Sequence, residues 1–250
     1  MWTDQASTSV TALQAGTLTQ SSAWAVTLSA ALYAPANASF PSLSVAVATS
    51  PTSGSGYGCG YYESSGALWG FFQTFTVGGS RGTATNVTVG NGLASSAGLI
   101  YTRLLNDGTA LHHQLSLDGV YWWDIETIAS PASLAYYGFL IGNSSTGGGF
   151  CQASIYRNSL AAVSQMTVTG ATNASPIVIA TSTPHGYMSG DMVAVHGLVG
   201  NTGGNSGTSG TNYNSGGWLI KVVDTTHFAL ISSSGNGTWT SGGVCTLLSR

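Results

Sequence analysis

Apolar positions along the first two thirds of the chain come in short alternating runs. Gly, Asn, Ser and Pro break these runs before a helical period of 11 or more residues can develop. In residues 23–34, Trp24, Val26 and Leu28 alternate with small residues, which predicts a strand. Residues 41–49 and 57–62 predict two more, separated by a turn cluster over 50–56. The aromatic run 67–77, with Leu68, Trp69, Phe71, Phe72, Phe75 and Val77, predicts a strand pair or one long strand. Strands follow at 99–105, 110–117 and 120–128, with the turns Asn106-Asp107-Gly108 and Asp118-Gly119 between them. Asp-Gly pairs mark hairpins because both residues tolerate the positive φ of a tight turn. A last pair is expected near 135–141 and 150–156.

About eight to eleven strands of this kind predict an antiparallel β-sandwich over residues 23–158. Residues 1–22 are left as an N-terminal arm or an extra strand, and 159–166 as a connector. A second β module occupies 167–250. Within it, residues 200–217 are almost wholly Gly, Asn, Ser and Thr, and are expected to form a long surface loop because they carry too little apolar area to fold alone.

The composition sharpens this picture. Only 5% of the 250 residues are charged, against roughly 25% in ordinary soluble domains. One lysine, Lys221, and four arginines cannot form a basic stripe, which argues against nucleic-acid binding. A net charge of −3 gives weak repulsion between copies and suits a chain that lives in an assembly. A secreted protein of low charge is the plainer alternative. Cys59, Cys151 and Cys245 are too few and scattered for a disulfide framework or a zinc site. Their odd count favours buried free thiols in a reducing cytoplasm and leaves a pairing of two of them open. The first residues lack the pattern of a signal peptide, and no apolar run reaches membrane-spanning length, so no membrane insertion is expected.

Two stretches carry family resemblances. The first comprises Thr181-Ser182-Thr183-Pro184-His185-Gly186, Gly190-Asp191-Met192-Val193-Ala194-Val195, Trp218-Leu219-Ile220-Lys221-Val222-Val223-Asp224-Thr225-Thr226-His227-Phe228 and residues 234–243. It resembles a small all-β module that recurs in bacteriophage virion proteins and is similar to the first catalytic cysteine half-domain barrel of ubiquitin-activating enzymes. The second comprises Tyr101-Thr102-Arg103-Leu104, Asn106-Asp107-Gly108, Ser116-Leu117-Asp118-Gly119-Val120-Tyr121-Trp122 and Tyr137-Gly138-Phe139-Leu140. It looks like the central and closing strands of lectin-like, concanavalin-type jelly rolls. The resemblances imply an all-β chain, an antiparallel lectin-like jelly-roll sandwich followed by a small β-barrel. They imply a non-enzymatic structural protein of a phage particle, assembled in the host bacterial cytoplasm, as capsid decoration or as a fibre- or tail-associated component. Its partners would be other virion proteins and further copies of itself, phage appendages of this kind being commonly trimeric. No cofactor and no metal is expected.

The candidate chemistry is sparse. Tyr121-Trp122-Trp123 is the leading ligand-contact cluster, because exposed aromatic faces stack on the apolar faces of sugars. Trp122 matches the position of the lectin-like fold's usual tryptophan, which leaves Tyr121 and Trp123 as the exposed pair, either for a host surface glycan or for packing against a partner. Asp124 and Glu126, two residues apart on a strand, would share a face as a glycosidase pair requires. The next same-face position is Ile128 rather than a third acid. Gly78-Gly79-Ser80-Arg81-Gly82 matches a nucleophile-elbow pattern, but a strand-like sequence follows where a helix is required. His112 and His113 are adjacent on one strand and therefore face opposite sides. His185 and His227 are expected as turn residues that bond loop backbone, and His196 lies on a strand.

Overall fold

Alternation places apolar side chains on one face of each strand, and two such faces must be buried against each other. The computed structural model of the chain, which describes residues 2–3, 9–33, 41–64, 67–77, 81–91, 99–143, 151–207 and 216–250, shows that solution. The first part contains β1 (Trp2–Thr3), β2 (Ser9–Ala15), β3 (Ala23–Tyr33), β4 (Pro41–Ala48), β5 (Ser55–Ser64) and β6 (Ala67–Thr76). It continues with β7 (Arg81–Asn91), β8 (Ile100–Asp107), β9 (Ala110–Ser116), β10 (Trp123–Ala129), β11 (Tyr136–Asn143) and β12 (Cys151–Ala162). The second part contains β13 (Gln165–Ala171), β14 (Ile177–Thr181), β15 (Met192–His196), β16 (Trp218–Val222), β17 (His227–Leu230) and β18 (Val244–Ser249). Among the described residues the chain is all-β, a two-sheet sandwich followed by a closed barrel.

Two six-stranded antiparallel sheets form the sandwich, in the orders β1-β12-β3-β8-β9-β10 and β2-β11-β4-β5-β6-β7. Trp24, Val26 and Leu28 face inward, as their alternation predicts, and meet Leu43, Val45, Cys59, Tyr61, Phe72, Leu104, Leu111 and Leu115 in one core. The barrel closes in the order β13-β14-β17-β16-β15-β18 around Ile177, Ile179, Val193, Val195, Ile220, Phe228 and Leu230. Its interior is filled by side chains, as a small barrel's must be.

The observed boundaries differ from several expectations. Residues 9–15 form a full strand against β11, and Trp2–Thr3 pair with β12, so residues 1–22 contribute to both sheets. The run 67–77 is one strand. β12 stays paired with β3 as far as Ala162 opposite Trp24, so the expected connector 159–166 shrinks to the two residues between β12 and β13. The strand expected at 120–128 begins at Trp123, because Asp118 holds residues 118–121 in a turn. The loop expected at 200–217 is partly internal: Asn201, Gly204 and Gly216 are buried, and an added Cβ on Gly216 would meet His112 and Thr127 of the sandwich. Its residues 208–215, and residues 78–80 of the elbow-like motif, lie outside the described residues.

The outer face of the second sheet has its own packing rule. Gly56, Gly58 and Gly60 alternate along β5, and Phe75, Gln73 and Phe71 of β6 stand directly opposite them. At Gly56 the Phe75 ring occupies the space a Cβ would take, which only the bare backbone allows. A Cβ on Gly60 would strike the Leu43 carbonyl and the Ser44 backbone, whereas one on Gly58 meets only the Ser44 hydroxyl at 3.3 Å and Phe75 at 3.8 Å. Gly60→Ala is therefore expected to destabilise by about 2 kcal/mol or more and Gly58→Ala by less than about 1 kcal/mol. Urea unfolding of the two variants measures the difference, and equal costs would refute the close approach of the β4 backbone to Gly60.

Candidate functional site

β9 and β10 form the last hairpin of the first sheet, and its two ends have opposite character. At the turn, Asp118 acts as a cap. Its carboxylate accepts N–H bonds from Val120 at 2.8 Å and Tyr121 at 2.9 Å and the Ser116 hydroxyl at 3.0 Å. Those bonds, the backbone ones first, pull its pKa below the ordinary carboxylate value. Gly119 takes φ +77°, and its backbone rests on the Tyr101 ring. This rigid turn displays Leu117, Val120, Tyr121 and Trp123 to solvent, with Tyr121 58% and Trp123 40% exposed. Trp122 points the other way and is buried. The Arg103 guanidinium lies 3.9 Å over its ring, a cation–π contact. The Ser249 hydroxyl accepts the Trp122 N–H at 3.0 Å and donates to the Trp122 carbonyl at 2.7 Å. The barrel's last strand thus clamps the residue between the two exposed aromatics.

Below the turn, the hairpin's outward side chains meet the barrel through a buried polar chain. Asp107 ends β8. One of its oxygens accepts the N–H groups of Thr109 and Ala110, which shapes the Asp-Gly turn. The other accepts Nε2–H of His112 at 3.0 Å and Nε2–H of His196, from the barrel's β15, at 2.6 Å. His112 donates its Nδ1–H to Asp124 Oδ2 at 3.0 Å. Asp124 also accepts from the Gln114 amide, and Gln114 accepts Nε–H of Arg103 at 2.7 Å. Arg103 and Gln114 both donate to the Leu248 carbonyl of β18. Gln165, at the start of β13, donates to the Asp107 carbonyl at 2.7 Å. Beside this chain lies a small apolar seam of Ala25, Leu105, Met192, Ala194 and Leu248.

Burial works against the charge on His112, yet Asp124 and Asp107 outweigh it and push the imidazole pKa up to about 10. Burial opposes the charge on Asp107 too, but bonds from His112 and His196 hold it well below the ordinary carboxylate range. Burial pulls Arg103 down to about 10, with Asp124 opposing. The adjacent His113 is the converse. It faces the sandwich interior beside Phe72, neither ring nitrogen has a hydrogen-bond partner, and burial pushes its pKa down to about 3.

The shared face expected for Asp124 and Glu126 is not observed. A β-bulge between Asp124 and Glu126 makes Ile125 the extra residue. Asp124 then pairs with Gln114 and faces the barrel, while Glu126 pairs with His113 and faces the sandwich interior, where it takes a hydrogen bond from Thr85 of β7. Simple alternation placed the two on one face, and one inserted residue reverses that. His185 does bond loop backbone: its Nδ1 accepts the Tyr187 N–H at 2.9 Å, and its Nε2–H donates to the Asp224 carbonyl at 3.0 Å. His227 bonds the Asp224 side chain. Cys59 and Cys245 are free and buried. The sequence reading missed Asp107 and His196 as partners. Asp107 stood out only as a turn residue, and nothing local marks a bond to a side chain 89 residues away.

No family model and no curated protein matches the chain. Solved structures with a similar course are distant. A functionally unknown protein from Saccharomyces cerevisiae shares 16% identity over 62% of this chain and 72% of its own, with a TM-score of 0.40. Sheep galectin-11, in complex with glycerol, shares 15% over 60% and 96%, at 0.38. An alginate lyase from Klebsiella pneumoniae shares 13% over 56% and 60%, at 0.35.

The two neighbouring histidines set opposite pH limits. The folded chain keeps a proton on His112 that the unfolded chain loses above about 6.5, so this contribution is full below 6.5 and lost as pH rises through about 10. His113 stays neutral when folded, so its contribution is full above 6.5 and lost as pH falls towards about 3. Asp107 adds a further loss in acid, below its unfolded value of 3.8. Thermal midpoints across pH are expected to peak near 6.5. His112→Gln should cost about 3 kcal/mol at that optimum and flatten the alkaline limb, because it leaves two carboxylates without their shared cation. His113→Leu should flatten the acid limb. A profile unchanged in both variants would refute the assignment.

Proposed function

We propose that this chain is a non-enzymatic structural protein of a bacteriophage particle, a capsid-decorating or a fibre- or tail-associated component. The observation that carries this reading is the turn displaying Leu117, Val120, Tyr121 and Trp123 on a chain of which only 5% of the residues are charged. Asp107, Asp124, Glu126 and Asp191, half of the eight acidic residues, are buried. A contact made by such a surface has few ions to desolvate, and a turn already fixed by Asp118 and Ser249 loses little freedom on docking. The phage attribution draws its support from the resemblance of residues 180–243 to the virion module and its ubiquitin-activating-enzyme-like barrel. The partners are other virion proteins and further copies of this chain, in a homo-oligomer that includes the trimer among its options. The place of action is the virion.

A second reading is a carbohydrate-binding adhesin. The exposure of Tyr121 and Trp123 on one preorganised turn favours it, because two fixed aromatic faces suit stacking on a host surface polysaccharide.

Immunogold electron microscopy of purified particles of the encoding phage tests the first reading. Regular label over head or tail is expected, with incorporation of a Tyr121→Ser/Trp123→Ser variant reduced tenfold or more and its thermal midpoint preserved. Absence of label on intact particles would overturn the proposal. Full incorporation of the variant, together with loss of its binding to host polysaccharide, would favour the adhesin.

A further inference from the structure

A groove of about 320 Å³ opens on the barrel surface and is lined by β13, β14, the start of β17 and residues 238–239. Gly170 and Ala180 form a floor of small residues, while Trp239 and His227 stand among the walls. Its volume lies at the lower end of the range for small-molecule sites.

The walls are held before any ligand arrives. Trp239 donates its indole N–H to the Gly242 carbonyl at 3.0 Å and packs against the barrel core, which fixes the half-buried ring at the groove wall. The buried Asn201 ties the two sides together, donating to the Thr172 carbonyl at 2.8 Å and accepting the Asn236 N–H at 3.1 Å. Asp224 accepts Nδ1–H of His227 at 2.9 Å, which orients the ring and leaves Nε2 as its second hydrogen-bonding position. Thr172 Oγ1 accepts the Val178 N–H at 2.8 Å and keeps its own proton to donate. Asn173 also lines the groove, with its side-chain oxygen beside Gly235. No lysine or arginine lines it, so nothing there selects an anion.

We propose that this groove binds one pyranose ring of a neutral saccharide. Trp239 stacks on the ring's apolar C–H face, and His227 Nε2, Thr172 and Asn173 meet its hydroxyls. An indole wall beside mixed donors and acceptors without a cation is the chemistry a neutral polyol requires. This site is separate from the Tyr121–Trp123 turn and does not depend on the assembly reading.

Saturation-transfer NMR on the full chain, with neutral gluco-, galacto- and manno-oligosaccharides as probes, tests it, followed by calorimetric titration of the strongest responder. Binding is expected for at least one probe and should fall tenfold or more in Trp239→Ala. Gly170→Leu is the second variant. A Cβ at Gly170 meets only the Ala180 methyl at an ordinary 3.6 Å, so the longer side chain fills the floor without breaking the barrel. It should abolish binding with the thermal midpoint kept. No saturation transfer from any probe, affinity unchanged in Gly170→Leu, or loss in Trp123→Ala instead would overturn the proposal.

Discussion

The bridge of His112 between Asp107 and Asp124 is the constraint on which the arrangement of the two modules depends. All three side chains are removed from water, where an unpaired charge would be prohibitive. Each is made tolerable by the next: a cation between two carboxylates, one carboxylate tied to His196 of the barrel and the other to Gln114 and thence Arg103. Such a chain is satisfied in only one relative placement of sandwich and barrel. The apolar seam of Leu105, Met192 and Leu248 supplies burial but little direction, so the polar chain sets the register.

That register reaches the exposed turn. β18 delivers the Leu248 carbonyl to Arg103 and Gln114, and the next residue, Ser249, to both backbone groups of Trp122. The aromatic display of Tyr121 and Trp123 is therefore fixed from two sides, by the Asp118 cap within the hairpin and by the barrel behind it. A contact surface built this way is a property of the two modules together. The barrel groove differs, because its walls are held by bonds within the barrel alone.

The adjacent histidines show how the protein uses polar groups sparingly. His112 is saturated with partners and held charged, while His113, one residue on, has none and is held neutral. An unpaired imidazole in a core costs stability. His113 lies beside Glu126, which also has an unpaired buried oxygen.

Alternation along Trp24, Val26 and Leu28, the Asp-Gly turns and the scarcity of helix formers made the all-β class and most strands legible in the sequence, because pleat and turn chemistry are local. The opposite orientation of His112 and His113 followed from the same period of two, whereas the choice of Trp122 as the buried aromatic came from the lectin-like resemblance, and its contacts with Arg103 and with Ser249 of the barrel come from tertiary packing. The bulge that separates Asp124 from Glu126 was not legible, since a single inserted residue shifts the period without a mark of its own. Nor were the strand role of residues 9–15, the burial of Gly216 against His112, or the bond from Asp107 to His196. Those depend on which surfaces meet after the chain has folded, and only the tertiary structure brings together groups that the sequence keeps far apart.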